Sequence, residues 1–219
     1  MNQQKNISQK INYQLMLENT LKKIGASRPR LLLHACCAPC SSYVLEYLAP
    51  YFDITLFFFN PNISPKEEYD FRAKELERLI SLMGLENRVS LICAPYEPDS
   101  FNALAKGREE LPEGGARCFD CYRLRLAKSA EVALSGGFDY FTTTLSISPH
   151  KNAMWLNTIG KEEGDSVGVE YLLSDFKKKN GYKRSCELSE KFGLYRQSFC
   201  GCAYSKLQNE RKEGTALED

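Results

Sequence analysis

Residues 31–45 read "LLLHACCAPCSSYVL". "RLLLHA" at 30–35 has the length and composition of a buried strand. Ser41-Ser42 offers a cap for a helix behind it. Three cysteines, Cys36, Cys37 and Cys40, crowd the junction within five positions. The same alternation recurs downstream. "DITLFFFN" at 53–60 is a second buried strand, and Ser64-Pro65-Lys66-Glu67 predicts a helix start, with a Ser N-cap, Pro first and Glu third. Tyr69, Ala73, Leu76, Leu79, Ile80 and Met83 form its apolar face, and Gly84 stops it. "RVSLICA" at 88–94 is a third strand, and a polar connection leads to a helix from near Cys118 to Gly136-Gly137. "DYFTTTL" is a fourth strand, a helix spans about 149–163, "VEYLL" at 169–173 is a fifth strand, and a basic helix-and-loop region follows. Ahead of the first strand, Ile11, Leu15, Leu17, Leu21 and Ile24 predict an amphipathic helix ended by Gly25.

Strands alternating with helices predict an α/β fold, a parallel sheet of about five strands with helices on both faces. Ligands of such sheets collect at the carboxyl ends of the strands. The Cys36-Cys37 pair sits at one such end and "TTTLSISPHK" at another. No stretch approaches the roughly 20 apolar residues of a membrane span, and the polar start "MNQQKNISQKINYQ" lacks a signal-peptide core. A cytoplasmic location is the expectation. Thiols stay reduced there, so nine cysteines read as ligands or redox groups rather than a disulfide framework. The net charge of +1 does not announce nucleic-acid binding. The charge is uneven, however: residues 1–30 and 177–196 are both strongly basic, a pattern for a local polyanion patch. "SGGFDY" at 135–140 resembles a pyrophosphate loop but follows a helix and opens a strand, so Gly136-Gly137 reads as a helix stop.

The cysteines fall into three groups: Cys36, Cys37 and Cys40; Cys118 and Cys121 in "RCFDCYRLRL"; and Cys200 and Cys202 in "CGC". C-x-x-C at a helix start sets two sulfurs on one face, and the helix N-terminus favours thiolate. Two pairs from separated segments suit either a tetrahedral zinc site or a cubane iron–sulfur cluster. A vicinal pair is awkward for the usual two-knuckle zinc geometry. Cys93 and Cys186 are solitary and read as incidental thiols. A disulfide across one residue is strained and easily reduced, so Cys200 and Cys202 suit electron transfer or thiol exchange, with a further ligand pair as the alternative.

The strings "HACCAPC", "RCFDCYRLRL", "TTTLSISPHK" and "DFKKKNGYKRSCELSEKFGLYRQSFCGC", in this order, closely resemble the epoxyqueuosine reductases of the QueH type, the cobalamin-independent class. The resemblance runs from about Leu31 to Ser205. It implies a single reductase domain over 30–205, a helical extension at 1–29 and a polar C-terminal tail at 206–219. It also implies a Rossmann-like fold of the adenine nucleotide alpha hydrolase kind, and reduction of epoxyqueuosine to queuosine at the wobble position of tRNA. Carried over by position, Cys36, Cys37, Cys118 and Cys121 match the ligands of a 4Fe-4S cluster, and Cys200 and Cys202 match a redox-active pair. Family members can carry a second metal, so Cys40 or the C-G-C thiols are expected to hold a second iron. The partners so implied are tRNA and an electron donor that the sequence leaves unidentified. A non-catalytic, zinc-stabilised RNA-binding module is the competing reading.

Removing an epoxide oxygen to leave an alkene takes two electrons and two protons and releases water. A metal with an open position can bind that oxygen as a Lewis acid. His34 offers a proton or a supporting hydrogen bond, or is a satisfied core residue. Asp175 orients substrate or caps the next segment. Lys177, Lys178, Lys179, Lys183, Arg184 and Arg196 are candidate phosphate contacts, and Tyr182, Tyr195 and Phe199 among them can stack on unpaired bases.

Overall fold

The structure, a computed structural model, describes residues 11–215, with side chains as far as Arg211. The basic residues Lys5 and Lys10 and the last four residues lie outside the described residues. Five strands, β1 (Arg30–His34), β2 (Asp53–Phe58), β3 (Val89–Cys93), β4 (Tyr140–Thr143) and β5 (Glu170–Tyr171), form one parallel sheet in the order β3-β2-β1-β4-β5. The helices are α1 (Tyr13–Ile24), α2 (Ala38–Leu48), α3 (Lys66–Leu82), α4 (Pro98–Ala105), α5 (Ala116–Ser135), α6 (Ala153–Val167), α7 (Gly181–Lys191) and α8 (Ala203–Thr215). This is the α/β, Rossmann-like architecture that the alternation predicts.

Alternate side chains of β1 serve opposite layers, as strand geometry demands. Leu31 and Leu33 enter the core beneath α1, α2 and α3, while Leu32 enters the core beneath α5 and α6. All three are fully buried, each contributing about 2 kcal/mol of apolar burial. The chain builds outward through β2 and β3, then crosses to the other side of β1 to form β4. Beyond the carboxyl ends of β1 and β4 the strand order reverses, and a crevice opens there. A 2.8 Å bond between His34 Nδ1 and Thr143 Oγ1 ties the two strand ends together.

Several local expectations shift. Ser41 and Ser42 lie inside α2, bonding back to the carbonyls of Cys37 and Pro39; the N-cap is Cys37, in extended backbone. Likewise Pro65, after a cis peptide bond, occupies the cap of α3 in place of Ser64. On α1 the buried stripe is Gln14, Leu17 and Leu21, whereas Leu15, and Ile11 ahead of the helix, face solvent. Gly136-Gly137 does end α5, with Gly137 at φ +64°. The polar connection contains α4, and α8 runs through the first ten residues of the segment expected to be a tail.

Candidate metal and redox centre

At the end of β1, Asn60 Nδ2 holds the Ala35 carbonyl at 2.9 Å while the chain turns into α2. That turn aims Cys36, Cys37 and Cys40 at one another: their Sγ atoms all lie within 4.8 Å, with Cys36 and Cys37 3.7 Å apart. Sulfurs bonded tetrahedrally to one metal at about 2.3 Å stand about 3.8 Å apart, so the spacing suits ligation. Hydrogen bonds from the Cys36 and then the Cys40 thiol push the Cys37 thiol well below its ordinary range, and its two neighbours shift upward in consequence.

Cys118 and Cys121 sit in the first turns of α5 and line a small cavity together with Cys200 and Cys202. Burial raises Cys118 and pushes Cys121 up to about 11 and Cys202 up to about 12. The thiolate bias expected from the helix start is therefore outweighed by desolvation, and metal binding here must displace protons. Cys200 also borders a cavity of about 620 Å³ that Cys36 and Cys40 line. It thus stands in the wall between the two cavities. Its backbone N–H donates to Ser205 Oγ, which donates in turn to Glu113, and its carbonyl accepts from Arg72. The Lys151 ammonium lies 3.1 Å from its sulfur. Six of the seven grouped cysteines therefore line one or other of these adjoining cavities, and Cys37 stands beside Cys36 and Cys40; Cys93 and Cys186 line neither. All nine are free thiols.

Three arginines complete the site, and none was singled out from the sequence. Arg72, Arg117 and Arg125 are each about 1% exposed. Buried charges are costly unless paired, yet among the described residues Arg117 and Arg125 have no carboxylate partner. Among the described residues, the buried side-chain atoms with no hydrogen-bond partner are Arg72 Nη2, Arg117 Nε and Nη2, Arg125 Nη1, Asn62 Oδ1 and Gln197 Oε1. All belong to residues that line these cavities or touch the C-G-C turn. A negatively charged metal–thiolate group fits the four arginine nitrogens among them, which are buried N–H donors. The sequence did carry a signal: Arg117, Cys121 and Arg125 are spaced i, i+4, i+8, one stripe of a helix.

His34 is fully buried, and burial, followed by the nearby Arg125 cation, lowers its pKa to about 3. It is a neutral structural bridge, 3.1 Å from the Phe59 carbonyl, rather than an exposed proton donor. Asp175 is paired with Lys177 and does not line the large cavity. Tyr182, Arg196 and Phe199 do line it, with the Arg196 guanidinium over the Tyr182 ring at 5.8 Å. Tyr195 packs edge-on against Phe71 instead. Lys179 is bound to Glu18 of α1, and Arg184 to Glu46 and Glu187; Lys178 and Lys183 are exposed.

Comparison with known proteins agrees with this arrangement. The family model described as epoxyqueuosine reductase QueH matches residues 31–208. An epoxyqueuosine reductase QueH of Streptococcus pyogenes serotype M1 is 45% identical over 93% of this chain and 82% of its own length. That of Staphylococcus epidermidis is 43% identical over 92% of this chain and 87% of its own. The Thermotoga maritima protein of the same description is 33% identical over 83% and 93%.

Proposed function

This chain belongs to the epoxyqueuosine reductase QueH family, an oxidoreductase that reduces epoxyqueuosine to queuosine, and we propose that it does so on the wobble nucleotide of tRNA, inside the 620 Å³ cavity. The observation that carries this reading is the clustering of Cys36, Cys37 and Cys40 just beyond β1, beside two adjoining cavities that share Cys200 and are lined by Cys36 and Cys40 on one side and by Cys118, Cys121 and Cys202 on the other. The reductase domain begins at about residue 30, with 1–29 as an extension, and it ends in α8, which carries it past residue 205. The protein works in the cytoplasm, beside its tRNA.

Cys36, Cys37, Cys118 and Cys121 would hold a 4Fe-4S cluster, and Cys40 would add a ligand for a second iron. The cluster, when bound, supplies single electrons. The rest of the chemistry belongs to the chain. Oxidation of Cys200 and Cys202 from two thiols to one disulfide releases two electrons and two protons. Those electrons and protons convert the epoxide to an alkene and turn its oxygen into water. An external electron donor then restores the thiols. Lys151 holds a proton beside Cys200 Sγ, which stabilises negative charge on that sulfur. Cys36, Cys37, Cys121 and Cys202 are buried, which restricts water around those sulfurs.

Delivery of the nucleotide falls to the basic segment before the C-G-C turn. Tyr182 and Phe199 offer faces on which an unstacked base can lie, and Arg196 adds a cation at the same wall. Lys178 and Lys183 are placed for phosphate contacts. The test is the double variant Cys200→Ser with Cys202→Ser. Turnover should vanish while iron and sulfide content stay near the unmodified protein's. Loss of the iron and sulfide would contradict the assigned roles.

A further inference from the structure

We propose that Arg125 is a positioning residue for the reductive centre, its guanidinium being the fixed positive charge that retains a negatively charged metal–thiolate group and raises its reduction potential. This rests on the reading of the thiols as metal ligands. Arg125 projects from the face of α5 that carries Cys121 four residues earlier. Arg125 lines the large cavity together with Cys36 and Cys200, so its charge lies beside one sulfur from each cysteine group. One nitrogen, Nη2, bonds Asn60 Oδ1 at 2.5 Å, and Nε lies 3.4 Å from His34 Nε2. Nη1 has no partner although the side chain is buried.

A merely structural anchor for Asn60 and His34 would need no net charge, and a neutral side chain would avoid the desolvation that a buried guanidinium suffers. The charge is explained if its partner is an anion at the thiols. The neighbouring arginines share part of this pattern, Arg117 with no carboxylate partner and Arg72 with one, Glu68. Arg72 lies within electrostatic reach of Cys37, and Arg117 of Cys202, and both carry buried N–H groups without acceptors. Fixed positive charge and N–H donors beside cluster sulfurs stabilise the more negative, reduced state, so they raise the potential. They also hold the ligands in place, as outer hydrogen-bonding partners of metal ligands do.

The test compares Arg125→Gln, which removes the charge, with Arg125→Lys, which keeps it, in anaerobically reconstituted full-length protein. Two quantities are read: the midpoint potential from a spectroelectrochemical titration, and the rate at which a chelator strips iron. Arg125→Gln should have a more negative potential and lose iron about 10-fold faster or more, and Arg125→Lys should restore most of both. Arg123→Gln, on the same helix but facing Glu162 and Glu163, should leave both unchanged. Should Arg125→Gln fold poorly, Arg117→Gln against Arg117→Lys makes the same comparison beside Cys202. Equal shifts in the Gln and Lys variants, or an unchanged potential in Arg125→Gln, would overturn the proposal while leaving the metal centre standing. An unmodified protein that takes up no iron would overturn both.

Discussion

Gly201 sits at φ +122°, in the half of backbone space that side chains disfavour. A β-carbon added there would lie 2.9 Å from Ile63 Cγ1 and 3.1 Å from Arg72 Nη1. Both neighbours are about 1% exposed, so neither can swing out. Gly201→Ala therefore meets two costs: about 1–3 kcal/mol for the backbone conformation and about 1–3 kcal/mol for overpacking. The two share one site and do not simply add, which leaves an expected loss of about 2–5 kcal/mol. For a chain of this size each kcal/mol moves the midpoint by about 2–4 °C, so thermal unfolding should fall by roughly 4–20 °C. The control is Gly168→Ala. Gly168 has φ +81°, but an added β-carbon meets nothing within 4 Å, so only the backbone cost of about 1 kcal/mol applies. Because Gly201 joins the two thiols, its variant should also lose turnover while keeping iron, whereas Gly168→Ala should turn over normally. Calorimetry and single-turnover assays on anaerobic, reconstituted protein read both effects. Equal midpoints for the two variants, with full turnover in Gly201→Ala, would refute the packing and the role assigned to the C-G-C turn together.

The neutral, buried His34 makes the metal-free protein acid-sensitive. Its folded pKa, about 3, lies below its ordinary 6.5, so the unfolded chain takes the proton first. Stability is then complete above about pH 6.5 and declines as pH falls toward 3, by about 2 kcal/mol at pH 5. Urea unfolding at pH 7 and pH 5 measures this, and His34→Gln should remove most of the difference. Cys118→Ser or Cys121→Ser should each bleach the visible absorption of anaerobic protein, whereas Cys93→Ser, at an exposed edge position, should not. Lys178→Glu with Lys183→Glu should weaken tRNA binding and flatten its salt dependence by about 1–2 units of log–log slope. Iron content should not change, and an unaltered salt slope would remove these lysines from the RNA contact.

The elements that carry long apolar runs were legible in the sequence, because β1, β2 and the buried face of α3 must repeat hydrophobic residues at a period that burial imposes. Helices that bury little were not. In α4 only Phe101 and Ala105 are buried, so its sequence reads as a polar connection. Helix starts were misplaced by a residue or more because an N-cap depends on where the backbone turns. At α2 that turn is set by the Asn60 bond to Ala35, a contact across the sheet. The cysteine groups could be read from spacing, but their meeting depends on the 3-2-1-4-5 strand order, which alternation alone leaves open. The buried arginines escaped notice because a sequence shows charge without showing burial.

The most direct test of the account is turnover of the anaerobically reconstituted protein on tRNA carrying epoxyqueuosine, with a strong reductant and neither cobalamin nor ATP, and with iron and sulfide measured on the same sample. The expected result is queuosine in the tRNA, from protein that contains both iron and sulfide. Conversion that requires cobalamin, or full conversion by protein that holds zinc and no iron or sulfide, would contradict it.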